Sequence, residues 1–414
     1  MLKLELKKML GSWMVLVLVV APMIIAVIFA MLVISYESNI QVNVDGSLTK
    51  TTGLEAIAQN KRQYESIKGP VTENGMQTVL SSYKHFYEVY NVAVTQEFPS
   101  DVYYGEMALE DNALSVLRSS IGVYNGTNYT DAMTISDEQA QNAYTLRQEG
   151  IYNAVSAQYP NANAAEAAKQ IDSRVSTPFY YQYGYGDSAA GDYLVFLFFI
   201  ILLCSTAIVS PLFAGGYQNG ADAIERCTYN GRGKLAVIRM IAALILTAVP
   251  AILSIGVYVI IVNNVFGWES LASSIQNTLG AGCIAPWTVG QTQIACIIAG
   301  AAALLASAMC SALCSAMCKN GVSAMAVAFI YALLPLILYI VGKNGALLDW
   351  LLCLLPASGA SPLGGFYSAI AGRSFLNIGS LSLWTAPATV FFAFVEIFIF
   401  AFLAVKIYVR HEDV

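Results

Sequence analysis

Six long apolar runs, at residues 13–35, 193–213, 235–262, 294–318, 322–341 and 389–406, constrain this chain more than anything else in it. A helical residue rises about 1.5 Å and the hydrocarbon of a bilayer is about 30 Å thick, so a run of roughly 20 apolar residues crosses it. Lipid offers the backbone no hydrogen-bond partners, which leaves a helix as the form such a run takes. Lys3, Lys7 and Lys8 precede the first run and invite comparison with a signal peptide. Its apolar stretch is too long for that, and no small-residue cleavage pattern follows, so it reads as a retained anchor. The fold class expected is an all-α polytopic membrane protein with six transmembrane helices.

Charge divides the chain further. Charged residues make up 12% of it, about half of what a soluble domain carries. Residues 36–192 hold 19 of the 27 acids and 9 of the 21 bases, a net charge of −10. This segment reads as one water-exposed domain. Lysine and arginine near span ends mark the cytoplasmic side. With the N-terminus inside, the inner segments hold Lys3, Lys7, Lys8, Arg226, Arg232, Lys234, Arg239, Lys319, Lys406 and Arg410, and the outer loops after the third span hold only Lys343 and Arg373. Both termini, including the tail 407–414, are therefore expected in the cytoplasm and residues 36–192 outside. All eight cysteines lie outside 36–192. An extracytoplasmic domain without cysteine favours a bacterial, Gram-positive cell membrane. The sequons at Asn125 and Asn128 then read as chance matches.

The outer domain reads as mainly helical. Ser136-Asp-Glu-Gln139 is a capping box opening a helix towards Tyr159. Met76, Val79, Leu80, Tyr83, Phe86, Tyr87 and Tyr90 share a helical face, and further helices are expected near 53–67, 106–121 and 163–175. Gly69-Pro70, Phe98-Pro99 and Tyr159-Pro160 punctuate them. Five tyrosines crowd into residues 180–193; aromatic rings favour the membrane interface, so this cluster is expected to seat the domain on the outer leaflet, a substrate-binding role being the alternative. Residues 342–387 contain two apolar pieces too short to cross, which suggests a re-entrant or interfacial hairpin.

On the inner side, residues 1–12 place Leu2, Leu6, Met9 and Leu10 on one face with Lys7 among the residues opposite. This fits a short interfacial helix, or more plainly the positive flank of the first span. Between the second and third spans, the polar break 211–239 is short yet able to form a compact amphipathic helix. No phosphate-binding loop, nucleophile elbow or zinc-protease motif is present, and His85 and His411 are far apart, so no enzyme activity and no metal site are expected. Cys310, Cys314 and Cys318 recur every four residues among serines and alanines. Such thiols could hold a soft metal, but small residues at this spacing more often let membrane helices approach closely. Glu396 lies amid phenylalanines in the sixth run and is either a pathway residue or a protonated interhelical contact.

One span, a large outer domain, five more spans and a basic loop after the second resemble the permease subunits of type-2 ABC transporters over essentially the whole chain. The most specific element runs from Phe213-Ala-Gly-Gly-Tyr-Gln-Asn-Gly-Ala-Asp222 to Asn230-Gly-Arg-Gly-Lys234-Leu. It differs from the usual pattern at Gly216, where glutamate is common, and at Glu225-Arg226, where an apolar pair is common. Thr177-Pro-Phe-Tyr-Tyr-Gln-Tyr and Leu-Leu-Pro356 are similar to recurring segments of the same family. The resemblance implies a coupling loop over 214–234 that docks a separate cytoplasmic ATPase, with Gln218, Asp222, Glu225, Arg226 and Tyr229 as contacts and the N-terminal helix resting on the same partner. ATP and magnesium would be bound by the ATPase and no cofactor by this chain. A second permease copy or a paralogue and membrane lipid are the other implied partners, with no nucleic acid. The function implied is export of a peptide, lipid-like or drug-like substrate. The competing classes are a surface sensor or adhesion protein, and a secondary transporter; the latter is weakened by the lack of an internal repeat.

Overall fold

The computed structural model describes residues 1–90, 98–159, 162–228, 231–342 and 345–410. Tyr229, Asn230, Pro160, Lys343 and His411 lie outside the described residues. Six helices among the described residues are long and apolar enough to cross a membrane. The spans are Trp13–Tyr36, Ala190–Val209, Gly233–Phe266, Val289–Met317, Gly321–Val341 and Thr385–Arg410. The chain is an all-α polytopic membrane protein.

Several spans begin earlier than hydropathy predicts, because a helix starts at its cap rather than at its first apolar residue. The fourth is the clearest case. Thr288 accepts a hydrogen bond from the Gln291 amide at 3.2 Å, and the Gln291 side chain accepts from the Thr288 amide at 3.0 Å. This reciprocal cap satisfies two of the orphan donors of the first turn and sets the start at Val289. Pro22, Pro250 and Pro335 sit inside spans. Pro211 instead follows the end of the second span, after which the chain turns into Ala214–Gln218.

The second and fourth spans are the most enclosed and the fifth and sixth the least. Small residues make the centre close-packed. A Cβ on Gly300 would lie 2.6 Å from the Phe198 ring, so this glycine lets the second and fourth spans meet. Ala302 and Ala306 pack against Ala393 of the sixth span.

On one side of the bundle lies a cap of mostly short helices. Its first part contains Gly53–Tyr64, Glu73–Tyr90, Asp111–Tyr124, Ala143–Gln158 and Ala162–Asp172. The capping box at Ser136 and Gln139 is present, but it opens only Asp137–Gln141; the chain kinks at Asn142 before the longer helix begins. A hairpin pairs Ser38–Val42 with Leu48–Thr52, its turn held by Ser47 donating to Asp45 with Gly46 at φ +79°. Gly69–Val71 pairs antiparallel with Phe179–Tyr181.

Two further segments complete this cap. The link between the third and fourth spans contributes Trp268–Ala272 and Gln276–Leu279. Residues 345–384 form Ala346–Cys353, Phe366–Ala371 and a hairpin of Phe375–Ile378 with Leu381–Trp384. This segment is tied to the first part of the cap: Tyr159 donates to Asp349 at 3.2 Å, and the Phe375 amide donates to Tyr159 at 3.0 Å. One apolar cluster runs without a break from Ile57, Val123 and Ile151 of the cap to Leu197, Tyr258 and Ala299 of the spans.

Within the tyrosine cluster, Tyr181, Tyr183 and Tyr185 are 3%, 9% and 5% exposed and fill the junction between cap and spans rather than meeting a leaflet, while Tyr180 and Tyr193 are partly exposed. For Tyr181 and Tyr183, hydrogen bonds from the hydroxyls explain how burial is tolerated. Tyr181 donates to Asp187 at 3.0 Å and Tyr183 donates to Glu37 at 2.9 Å. Burial, partly offset by the Tyr183 hydrogen bond, raises the Glu37 carboxyl above its ordinary value.

Candidate functional site

The face opposite the cap gathers most of the residues singled out in the sequence. The loop after the second span folds into two short helices, Ala214–Gln218 and Ala221–Arg226, separated by Gly220 at φ +70°. A side chain at that angle would be strained, so glycine makes the sharp turn between them possible. The Ser315 hydroxyl of the fourth span accepts from the Phe213 and Ala214 amides at 2.9 and 3.1 Å, which satisfies donors where the loop begins. Gln218 accepts from the Gly321 amide at 3.3 Å and ties the loop to the start of the fifth span.

Charge fixes the rest of this face. Glu225 pairs with Arg239 of the third span at 2.5 Å and with Lys8 at 3.1 Å. Arg239, nearly inaccessible to solvent, also pairs with Glu5 at 3.3 Å. Two carboxylates and two bases thus bind the N-terminal helix, Leu2–Leu10, to the loop and the third span. Burial alone would raise the Glu225 carboxyl, but Arg239 and Lys8 more than offset it and hold the group below its ordinary value.

Asp222 is buried and pairs with Arg226 at 3.4 Å. Arg226 donates on to the Tyr408 and Val409 carbonyls at 2.9 and 3.2 Å, with its guanidinium over the Tyr408 ring. These are C-terminal carbonyls of the sixth span, which an arginine satisfies well. Gly216 stands against this pair: a Cβ there would lie 3.7 Å from the Cβ of Asp222.

The structure therefore brings Asp222, Glu225 and Arg226 together, but turns them inward onto this chain. Gln218 is exposed and Ile224 is 75% exposed, while Tyr229 lies outside the described residues. On the N-terminal helix, Leu2, Leu6, Met9 and Leu10 are partly buried against the neighbouring elements and Lys7 is exposed. Sequence reasoning missed Glu5 and gave Arg239 only the role of an orientation marker. No local spacing relates residues that meet across some 230 positions of chain; a glutamate on an otherwise basic helix was the one available signal.

Glu396 lies on the stripe of the sixth span that faces protein. Ala393 and Ile397 beside it pack on the fourth span, and Phe400 packs on Cys310, Cys314 and Ala328. The Glu396 Oε2 is buried without a hydrogen-bond partner among the described residues. Cys310 and Cys314 sit in this same helix interface, and among the described residues no group of His, Cys, Asp and Glu could hold a metal ion. Comparison with known proteins finds no match among family models, curated proteins or solved structures.

Proposed function

We propose that the chain is the permease subunit of an ATP-driven exporter, with its termini and coupling loop in the cytoplasm and its cap outside a bacterial cell. The observation that carries this reading is the mechanical construction of the loop. Ala214–Arg226 is joined by hydrogen bonds or ion pairs to the N-terminal helix and to the third, fourth, fifth and sixth spans. A push on this loop reaches five elements at once, as transmission from a separate ATPase to a helix bundle requires. Asp222, Glu225 and Arg226 stiffen the lever, and its exposed edge at Gln218, Asn219 and Ile224 meets the ATPase. The Glu396 carboxyl, facing protein in the sixth span, belongs to the moving interface. A second permease copy or a paralogue supplies the other half of the path, and the cargo is a peptide, a lipid-like or a drug-like molecule.

The test is purification of the native assembly with its ATPase activity measured in parallel. An apolar anchor at an interface hot spot is worth ~2 kcal/mol or more. Ile224→Asp is therefore expected to lower recovery of the ATPase and of ATP hydrolysis by roughly tenfold or more, with the permease itself unchanged in the membrane. ATPase recovery equal to wild type would remove the docking assignment, and a native preparation without ATP hydrolysis would remove the exporter reading.

A further inference from the structure

The cap contains a cavity of about 490 Å³ with features the export reading does not use. It lies between the helix Asp111–Tyr124, the turn at 276–282 and Arg373. Its walls are rich in hydroxyl and amide groups, among them Ser119, Asn128, Asn277 and Thr278. The volume is in the range of about 300–1,000 Å³ typical of small-molecule sites.

Two wall residues carry unmatched polar atoms. The Arg373 Nη1 is buried and finds no protein acceptor among the described residues. Asn277 donates through Nδ2 to the Tyr180 carbonyl at 2.8 Å, and its buried Oδ1 finds no protein donor. No carboxylate pairs with Arg373 among the described residues. The charge that acts on it is the like charge of Arg147, which already holds Asp172 at 2.7 Å. A Cβ on Gly282 would lie 3.5 Å from Nη1, so the guanidinium rests across bare backbone at the cavity wall. A half-buried arginine without a carboxylate partner leaves its charge uncompensated, and its planar fork matches carboxylate and phosphate oxygens.

We propose that this cavity binds a small soluble oxyanion, a carboxylate or phosphate compound, with Arg373 on the anionic group. The site does not depend on the ATPase assignment and would serve equally for cargo capture or for sensing an external solute. The surroundings favour a water-soluble ligand: the cavity is built from cap segments and its lining mixes polar groups with apolar side chains.

The experiment uses the full-length chain in detergent, titrated with inorganic phosphate, succinate and a short-chain phosphatidic acid against chloride at equal ionic strength. Thermal stabilisation is the readout. Phosphate or succinate is expected to stabilise saturably above chloride. Arg373→Gln should weaken that response at least tenfold and Arg373→Lys should retain part of it. Asn128→Trp, at the exposed rim, should weaken it by occluding the mouth and serves as the deciding variant if Arg373→Gln does not fold. Equal responses in these variants and wild type, no saturable response to either soluble anion, or stabilisation by the lipid alone would each overturn the proposal.

Discussion

Arg147 shows how much one side chain in the cap organises. It is fully buried, it pairs with both oxygens of Asp172 at 2.7 and 3.1 Å, and it donates to the Ala281 and Cys283 carbonyls, the latter at 3.0 Å. The first partner lies on Ala162–Asp172 and the others on the link between the third and fourth spans, so one guanidinium pins two cap helices to that link. Replacing one member of such a pair strands the other charge, at a cost of ~3–5 kcal/mol. Arg147→Met should therefore lower the thermal midpoint of the detergent-solubilised protein sharply. Arg147→Met with Asp172→Leu should recover part of the loss, and only part, because the two carbonyls stay unpaired. Strictly additive effects in this double-mutant cycle would show that the two residues do not act as a pair. None of this was visible in the sequence, where Arg147 and Asp172 are two ordinary charges on two separate helices. Arg373 left a faint trace, as one of just two bases in the outer loops after the third span.

The N-terminal helix and the loop after the second span behave as one element because Glu225 and Arg239 join them. Loss of the Glu225 charge should free the helix Leu2–Leu10, whose own sequence is too short to hold a helix in water. The sign of the pH dependence follows from Glu225. Its folded value lies below the ordinary one, so the unfolded loop binds a proton more readily than the folded loop. The stabilisation is then complete above the ordinary glutamate range and is lost as pH falls through the folded value. Amide exchange, corrected for its intrinsic pH dependence, should show residues 2–10 loosening as the pH falls into that range. Glu225→Gln should exchange several-fold faster at neutral pH, a partly exposed pair being worth ~1 kcal/mol, and should show a smaller transition. Protection identical to wild type would mean that the helix is held by its apolar face alone. At this scale the sequence was informative where the signal was local. The capping box at Ser136, the apolar stripe of residues 2–10 and the polar break after Pro211 are all read within a few residues, and all three are helical in the structure. Helix ends were misjudged where a cap such as Thr288 precedes the apolar run.

At the scale of the whole molecule, the six spans were legible because bilayer thickness imposes their length, whereas the cap was legible only in part. Residues 36–192 look like a separate acidic domain by composition, yet their packing shows that they are not independent. Val123, Ile151 and Tyr159 share a core with the spans, Tyr183 and Tyr185 close the junction, and Ala281 packs into the cap from the third-to-fourth link. Composition cannot reveal this, since the apolar residues that seal a junction look like those of any core. The consequence is a firm expectation about truncation. A fragment of residues 37–189 would lose the carbonyls that hold Arg147, the wall that receives Val123, and Ser274, whose amide donates to the Tyr180 carbonyl at 2.8 Å. It should keep helical far-ultraviolet dichroism, because its helices are local, and lose near-ultraviolet signal from its tyrosines, the signature of a collapsed but unpacked state. A fragment with native-like tyrosine signals and a cooperative thermal transition would show the cap to be a domain in its own right. The exporter reading makes the first outcome the useful one, because a cap that shares its core with residues of all six spans moves when those helices move.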